Sequence, residues 1–304
     1  MDRLREAVSH VADSVLYKVS PRLSDRVAMY RQYRDAVVPR CLADVPADED
    51  PSAPLGHEGI DLHEGEQVEL LRSWAADREL HQALRADSSI NVLGDRTHVA
   101  NRWYETPDAE IYASMISAYR PTDIVEVGSG FSTMVARRTI DWAGTATTLT
   151  AIDPKPRRAV DGVADLVVGS CVEDVDLAAR PWSTLGERVL LFVDSSHVVR
   201  ARGDVPFLFN RVIPSLPPGS VVHVDDIYLP WEYPVSYRKR LYTEQYVLQA
   251  LLCFSERFRT RFATHYMGRC HGALMREVFG PAVGGSTGRK GSSYWFEVTE
   301  GAAG

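Results

Sequence analysis

Four cysteines, Cys41, Cys171, Cys253 and Cys270, are scattered through 304 residues without CxxC or CxxxC spacing. That leaves neither a zinc knuckle nor a disulfide framework, and it suits reduced thiols. An excess of positive charge is also lacking: the net charge is −7, so the chain has no electrostatic footprint for nucleic acid or an anionic membrane, and a small or uncharged substrate is expected. No run of about 18 apolar residues occurs, which excludes a spanning helix. The opening segment MDRLREAVSHVADSVLYKV carries charges throughout and has no small-residue cleavage site, so a cytoplasmic protein is expected. Internal repeats and low-complexity tracts are absent as well.

What is present falls into two parts. Residues 1 to about 44 carry apolar stripes at helical spacing (Leu4, Val8, Val11, Val15, then Val27, Tyr30, Tyr33, Val37). The Pro-, acid- and Gly-rich stretch from Asp44 to Gly59 reads as a linker. Helical patterns follow at 66–86 and 109–119. Residues 1–100 are therefore expected to form a helical extension, and 101–304 the main domain. From Pro121 onward, short apolar runs alternate with helix-length segments: 123–127, 148–152, 165–168, 189–193 and 220–224, then 262–267 and 293–298. The first five predict a parallel sheet with helices on both faces, and the last two a terminal antiparallel pair. The expected fold is α/β, a Rossmann-like doubly wound seven-stranded sheet, with ligands outside the carboxyl ends of its strands.

The segment DIVEVGSGFSTMVARR reads as strand, Gly-Ser-Gly turn and helix. Gly128 and Gly130 permit positive φ and close approach of a ligand to the backbone. The third glycine of a GxGxxG dinucleotide fingerprint is missing, which counts against a nicotinamide enzyme. The second strand ends in Asp153, where a carboxylate can hold the hydroxyls of a ribose. On these residues the sequence resembles the class I S-adenosylmethionine-dependent methyltransferases over residues 101–298. The resemblance implies that Glu126, Gly128, Ser129, Gly130 and Ser132 line the methionine portion of the cofactor. It further implies that Asp153 holds the ribose, and that Ser170 and Cys171 lie near the adenine.

A second group of acids closes the fourth and fifth strands: Asp194, and the adjacent pair Asp225 and Asp226. Adjacent strands lie about 4.8 Å apart, so the carboxylates can converge. Uncompensated, they repel, and the remedies are a shared proton, an arginine or a divalent cation. Oxygen-only ligands favour a hard ion, with Mg2+ expected. Here the sequence is similar to metal-dependent O-methyltransferases of the catechol and macrolide-sugar types. The latter place a histidine three residues beyond the first aspartate, as His197 stands to Asp194. The resemblance implies a metal held by Asp194, Asp225 and Asp226, with His197 and Asp194 catalytic and His197 as the general base. It implies methyl transfer to a hydroxyl of a sugar, polyol or natural-product acceptor.

Other readings of the same residues are open. Asp194 can orient the cofactor amine, Asp225 and Asp226 can cap a turn, and His223 reads as a core histidine. The aromatic run Tyr228, Trp231, Tyr233, Tyr237 and Tyr242 suits the face of a sugar or aromatic acceptor. It suits equally well packing against the N-terminal helices or a second copy in a homo-oligomer. An N-methyltransferase, a catechol-type enzyme and an inactive cofactor-binding scaffold remain as alternatives.

Overall fold

A computed structural model describes residues 54, 56, 58–234, 237, 240–284 and 288–301. By its internal contacts the chain divides into Met1–Pro51 with Pro234–Leu241, and Ser52–Tyr233 with Tyr242–Gly304. The elements below belong to the second unit. The helical stripes expected in residues 1–44, and most of the expected linker, lie outside the described residues.

All but one of the apolar runs form strands close to their expected bounds, as β1 (Asp123–Val127), β2 (Thr148–Ile152), β3 (Leu166–Val168), β4 (Val189–Val193), β5 (Val221–Val224) and β7 (Tyr294–Val298), and β6 is Phe258–Ala263. They make one seven-stranded sheet in the order β3-β2-β1-β4-β5-β7-β6. β1 to β5 are parallel, and β7 runs antiparallel to both of its neighbours. Every residue of β4 is buried, as expected of a parallel strand covered on both faces.

Alternation along the strands divides two cores. Ile124, Leu190 and Phe192 face one, with Leu71, Trp74, Leu80 and Tyr112. Val125, Val127, Leu191 and Val193 face the other, with Leu208, Phe209 and Leu248. Each such side chain contributes about 1.5–3 kcal/mol by leaving water, so both faces of the sheet are anchored.

The helical pattern at 66–86 is two helices, α1 (Glu64–Ser73) and α2 (Arg78–Ala86), joined by a tighter turn at Trp74–Asp77. Although the sequence places them in an extension, Leu71, Trp74, Leu80 and Leu84 share a core with the sheet. The helix expected at 109–119 is α3 (Asp108–Tyr119), which ends at Arg120 with φ 49° before Pro121. α4 (Phe131–Ala143) follows the glycine turn and stops at Gly144, whose φ of 59° is a left-handed helix end. A helical stretch from Asp204 to Ser215, with a π-helical middle, is α5. α6 (Glu244–Leu252) is the last helix before β6.

The strand expected at 262–267 is displaced to 258–263, and Thr264–Cys270 is helical. The alternation that marks β6 is carried by Arg259 and Arg261, which pair with Glu66 and Glu297 on the exposed face. At the other end, Thr264 turns out of the sheet. Its amide donates to the Ser293 carbonyl (2.9 Å), and its hydroxyl lies 2.6 Å from that of Ser293.

Candidate active site

The carboxyl ends of the parallel strands are locked at one level. The amide of Gly128 donates to Ile152 (3.0 Å), that of Asp153 to Val168 (3.0 Å), that of Asp194 to Val127 (2.8 Å) and that of Asp225 to Val193 (2.9 Å). Each of these residues therefore leaves its strand beside its neighbour's last carbonyl. A cavity of about 300 Å³ opens there, with Gly128–Ser132, Asp153, Arg157, Cys171 and Asp194 among its walls.

Gly128 takes φ 87°. A Cβ on it would stand 1.9 Å from the Asp194 carbonyl oxygen, so only glycine lets the turn after β1 touch the end of β4. Asp153 secures the same turn: its carboxylate accepts from the Ser129 amide (2.8 Å), the Ser129 hydroxyl (3.1 Å) and the Lys155 amide (2.7 Å). Ser132 lines the cavity. Cys171 does as well, followed by Val172 and Glu173, whereas Ser170 does not.

Glu126 is not in the cavity wall. It is fully buried beneath the turn, where Tyr112 donates to Oε1 (3.0 Å) and Thr133 to Oε2 (2.5 Å). The Thr133 hydroxyl in turn accepts from the Gly130 amide (3.0 Å). Burial pushes the Glu126 carboxyl up to about 8, against the hydrogen bonds that favour its charge. Through Thr133 it supports the glycine turn from below.

The second acidic group is organised around an imidazole. His197 is buried, with φ 58°, and its Nδ1 lies 2.8 Å from Oε2 of the fully buried Glu244. Nε2 lies 3.1 Å from Asp194 and 3.8 Å from Asp226. Both ring nitrogens thus face carboxylate oxygens, an arrangement that calls for the doubly protonated ring. Burial opposes the charge, but hydrogen bonds to Asp194 and Glu244 outweigh it and raise the imidazole well above its usual range. The same contact acts in reverse on Asp194: burial raises the carboxyl, and the His197 hydrogen bond and charge bring it below the usual value. Asp225 goes the other way, pushed up by burial and by the charges of Asp226, Asp194 and Asp108. His223 is a core histidine, stacked on Phe192 at 4.0 Å and lowered to about 3 by burial, but among the described residues its two ring nitrogens are not hydrogen-bonded as a satisfied core histidine's would be.

Among the described residues, no group of three His, Cys, Asp or Glu side chains converges as a bound ion requires. The expected triad of Asp194, Asp225 and Asp226 does reach one edge of the sheet. Asp194 and Asp226 face the His197 cation, and burial with like charge pushes Asp225 up, so the residues as placed do not fit the Mg2+ site.

Beyond the expected residues, the structure brings in Trp103, Tyr104, Arg157 and Glu244. Trp103 is 61% exposed, and the Arg157 guanidinium lies over its ring at 4.1 Å. Of the expected aromatics, Tyr228, Trp231 and Tyr233 are mostly buried and pack with one another and with His265. The only sequence signal for Trp103 was its place in the aromatic, proline-bounded stretch NRWYETP.

Residues 125–227 match the family model described as a methyltransferase domain, a span from within β1 to just past Asp226. No curated protein matches the chain. Among solved structures, the O-methyltransferase from Bacillus cereus in complex with SAH shares 12% identity, with 76% of this chain and 100% of that one covered and a TM-score of 0.42. The plantazolicin methyltransferase BpumL in complex with SAH shares 11% identity, with 79% and 98% covered and a TM-score of 0.41. Among the described residues, no helix is long and apolar enough to cross a membrane.

Proposed function

We propose that this methyltransferase domain takes its methyl group from S-adenosylmethionine and passes it to a hydroxyl of a small acceptor. The supporting observation is the fit of Gly128 against the Asp194 carbonyl. It joins the glycine turn, Asp153 and Asp194 around one cavity inside the segment that matches a methyltransferase domain.

Asp153 would hold the ribose hydroxyls, the backbone of Gly128–Gly130 would admit the methionine portion without a Cβ in the way, and Cys171 and Val172 would flank the adenine. When bound, S-adenosylmethionine supplies a methyl group on a sulfonium, whose carbon–sulfur bond breaks as the carbon–oxygen bond forms. The residues' part is to orient the acceptor oxygen and to take its proton. His197, doubly protonated between its carboxylates, is the fixed cation that keeps Asp194 charged and lies 3.8 Å from Asp226. One of those carboxylates receives the hydroxyl proton, in place of the His197 base that the resemblance implies.

Calorimetry with S-adenosylmethionine and with S-adenosylhomocysteine tests the donor. Both should bind the native protein, and Asp153→Ala should lose about 100-fold or more in affinity while keeping the fold. An absence of binding to the native protein would sink the reading. The Mg2+-assisted form of the reaction separates cleanly: with His197 as counter-cation, turnover persists in EDTA. Loss of turnover in EDTA, restored by Mg2+, would return the role to a metal.

A further inference from the structure

A second cavity of about 310 Å³ adjoins the first, with Trp103 in the walls of both. We propose that it is the acceptor site, and that it selects a hydroxylated ring bearing one anionic group: the ring packs on Trp103 and Tyr228, and the anion meets Lys290. The proposal rests on the reading of the first cavity as the donor site.

Three observations carry it. The two cavities are linked behind their walls by a chain of polar contacts: Ser292, a wall of the second cavity, donates to Asp226 (3.5 Å), Asp226 lies 3.8 Å from the His197 ring, and that ring lies 3.1 Å from Asp194, a wall of the first.

The cavity is also tied together across its opening. The Trp103 loop is held by Asn101, which accepts from the Trp103 and Tyr104 amides (3.0 and 2.8 Å), and by Glu105, which accepts from the Asn101 and Arg102 amides (2.9 and 2.8 Å). Glu105 pairs with Arg289, next to Lys290. Asp108 accepts from the Ser292 and Ser293 amides, and a Cβ on Gly268 would stand 2.6 Å from the Lys290 carbonyl. The backbone that presents Lys290 is thereby fixed from both sides, which lowers the ordering cost of binding.

The chemistry of the wall then selects the ligand. Arg157 covers one face of Trp103, and an aromatic ring has a second. Tyr228, largely buried and packed against His265 at 4.9 Å, lines the same cavity. Of the acids in the wall, Glu105 is engaged by Arg289 and Asp108 by backbone amides, whereas Lys290 adds positive charge, which after burial and Arg269 lowers the His265 imidazole further. A negative group on the acceptor complements this wall; the uncharged substrate suggested by the overall charge does not.

The full chain, first titrated with S-adenosylhomocysteine and then held saturated with it, is titrated by calorimetry with paired probes: 4-hydroxybenzoate against 4-hydroxybenzamide, and galacturonate against galactose. The two pairs distinguish an aromatic from a sugar ring. In at least one pair the acid should bind about tenfold or more tightly than its neutral partner. Lys290→Ala should erase that preference, Lys290→Arg should retain it, and Trp103→Ala should weaken both members alike. A merely structural role for Lys290 would leave the ratio of acid to neutral affinity unchanged. Equal affinity within both pairs, no binding by any probe, or a preference that survives Lys290→Ala overturns the proposal. Failure of S-adenosylhomocysteine to bind in the first step overturns the donor reading, and this proposal with it.

Discussion

His197 and Glu244, 47 residues apart in the chain, are joined by a buried hydrogen bond of 2.8 Å from Nδ1 to Oε2. The bond ties the loop after β4 to the first turn of α6, and the His197 carbonyl strengthens the tie by accepting from the Thr243 and Glu244 amides (2.8 and 3.1 Å). Of the adjacent aspartates after β5, Asp226 faces this imidazole at 3.8 Å, whereas Asp225 is pushed toward its protonated form.

Glu244→Gln keeps the shape but removes the charge that faces Nδ1. Breaking one side of a buried ion pair costs on the order of 3 kcal/mol. Urea denaturation should show that loss, and methyl transfer should fall as the ring loses its fixed orientation. An unchanged unfolding midpoint would mean that the ring is held by Asp194 and packing alone.

Gly128→Ala places a methyl group 1.9 Å from the Asp194 carbonyl oxygen, at φ 87°. Backbone strain of this kind costs about 1–3 kcal/mol before the clash is relieved. Relief requires the β1 turn and the end of β4 to part, so cofactor affinity should collapse while the far edge of the sheet keeps its protection in hydrogen exchange. Wild-type affinity in this variant would remove the turn from the donor site.

The buried carboxyl of Glu126 gives a pH signature. Its ordinary value of 4.5 is raised to about 8 in the fold, so below pH 4.5 it is protonated in both states and imposes no penalty. Between 4.5 and 8 the unfolded chain ionises it while the folded chain resists, so its contribution to stability is lost as the pH rises through that window. Glu126→Gln carries no such charge. Relative to the native protein, its stability should improve by a few kcal/mol from pH 5 to pH 8, read from denaturant midpoints. Parallel curves over that range would contradict the buried-acid assignment.

Much of the sheet was readable from the sequence, because β1 to β5 are short apolar runs bounded by glycines and acids and need no partner to be recognised. β6 was misplaced because its alternating positions are filled by arginines that pair with Glu66 and Glu297, and their charge hides the period. Among site residues, those at strand ends (Asp153, Asp194, Asp225, Asp226) were legible because topology puts strand ends together. The burial of Glu126 beneath the turn, outside the cavity wall, was not legible, since a motif gives spacing but not which face of β1 a side chain takes. Glu244, Trp103 and Arg157 reach the site from other loops and helices by tertiary packing, for which one sequence has no local signal.

The level row of amide-to-carbonyl bonds that closes β1, β2, β4 and β5 also bears on how this protein can vary. Of the segments leaving that row, the one after Asp194 supplies Ser195, Ser196 and Arg200 to the donor cavity, whereas the one after Asp226 carries Tyr228 to the second cavity, and neither is needed to complete the row. Length changes beyond Asp226 should thus re-shape the choice of acceptor while donor binding stays intact. The same property makes the chain a practical scaffold: the loop can be exchanged at that one exit, and the first screen of any such library is retained affinity for the donor.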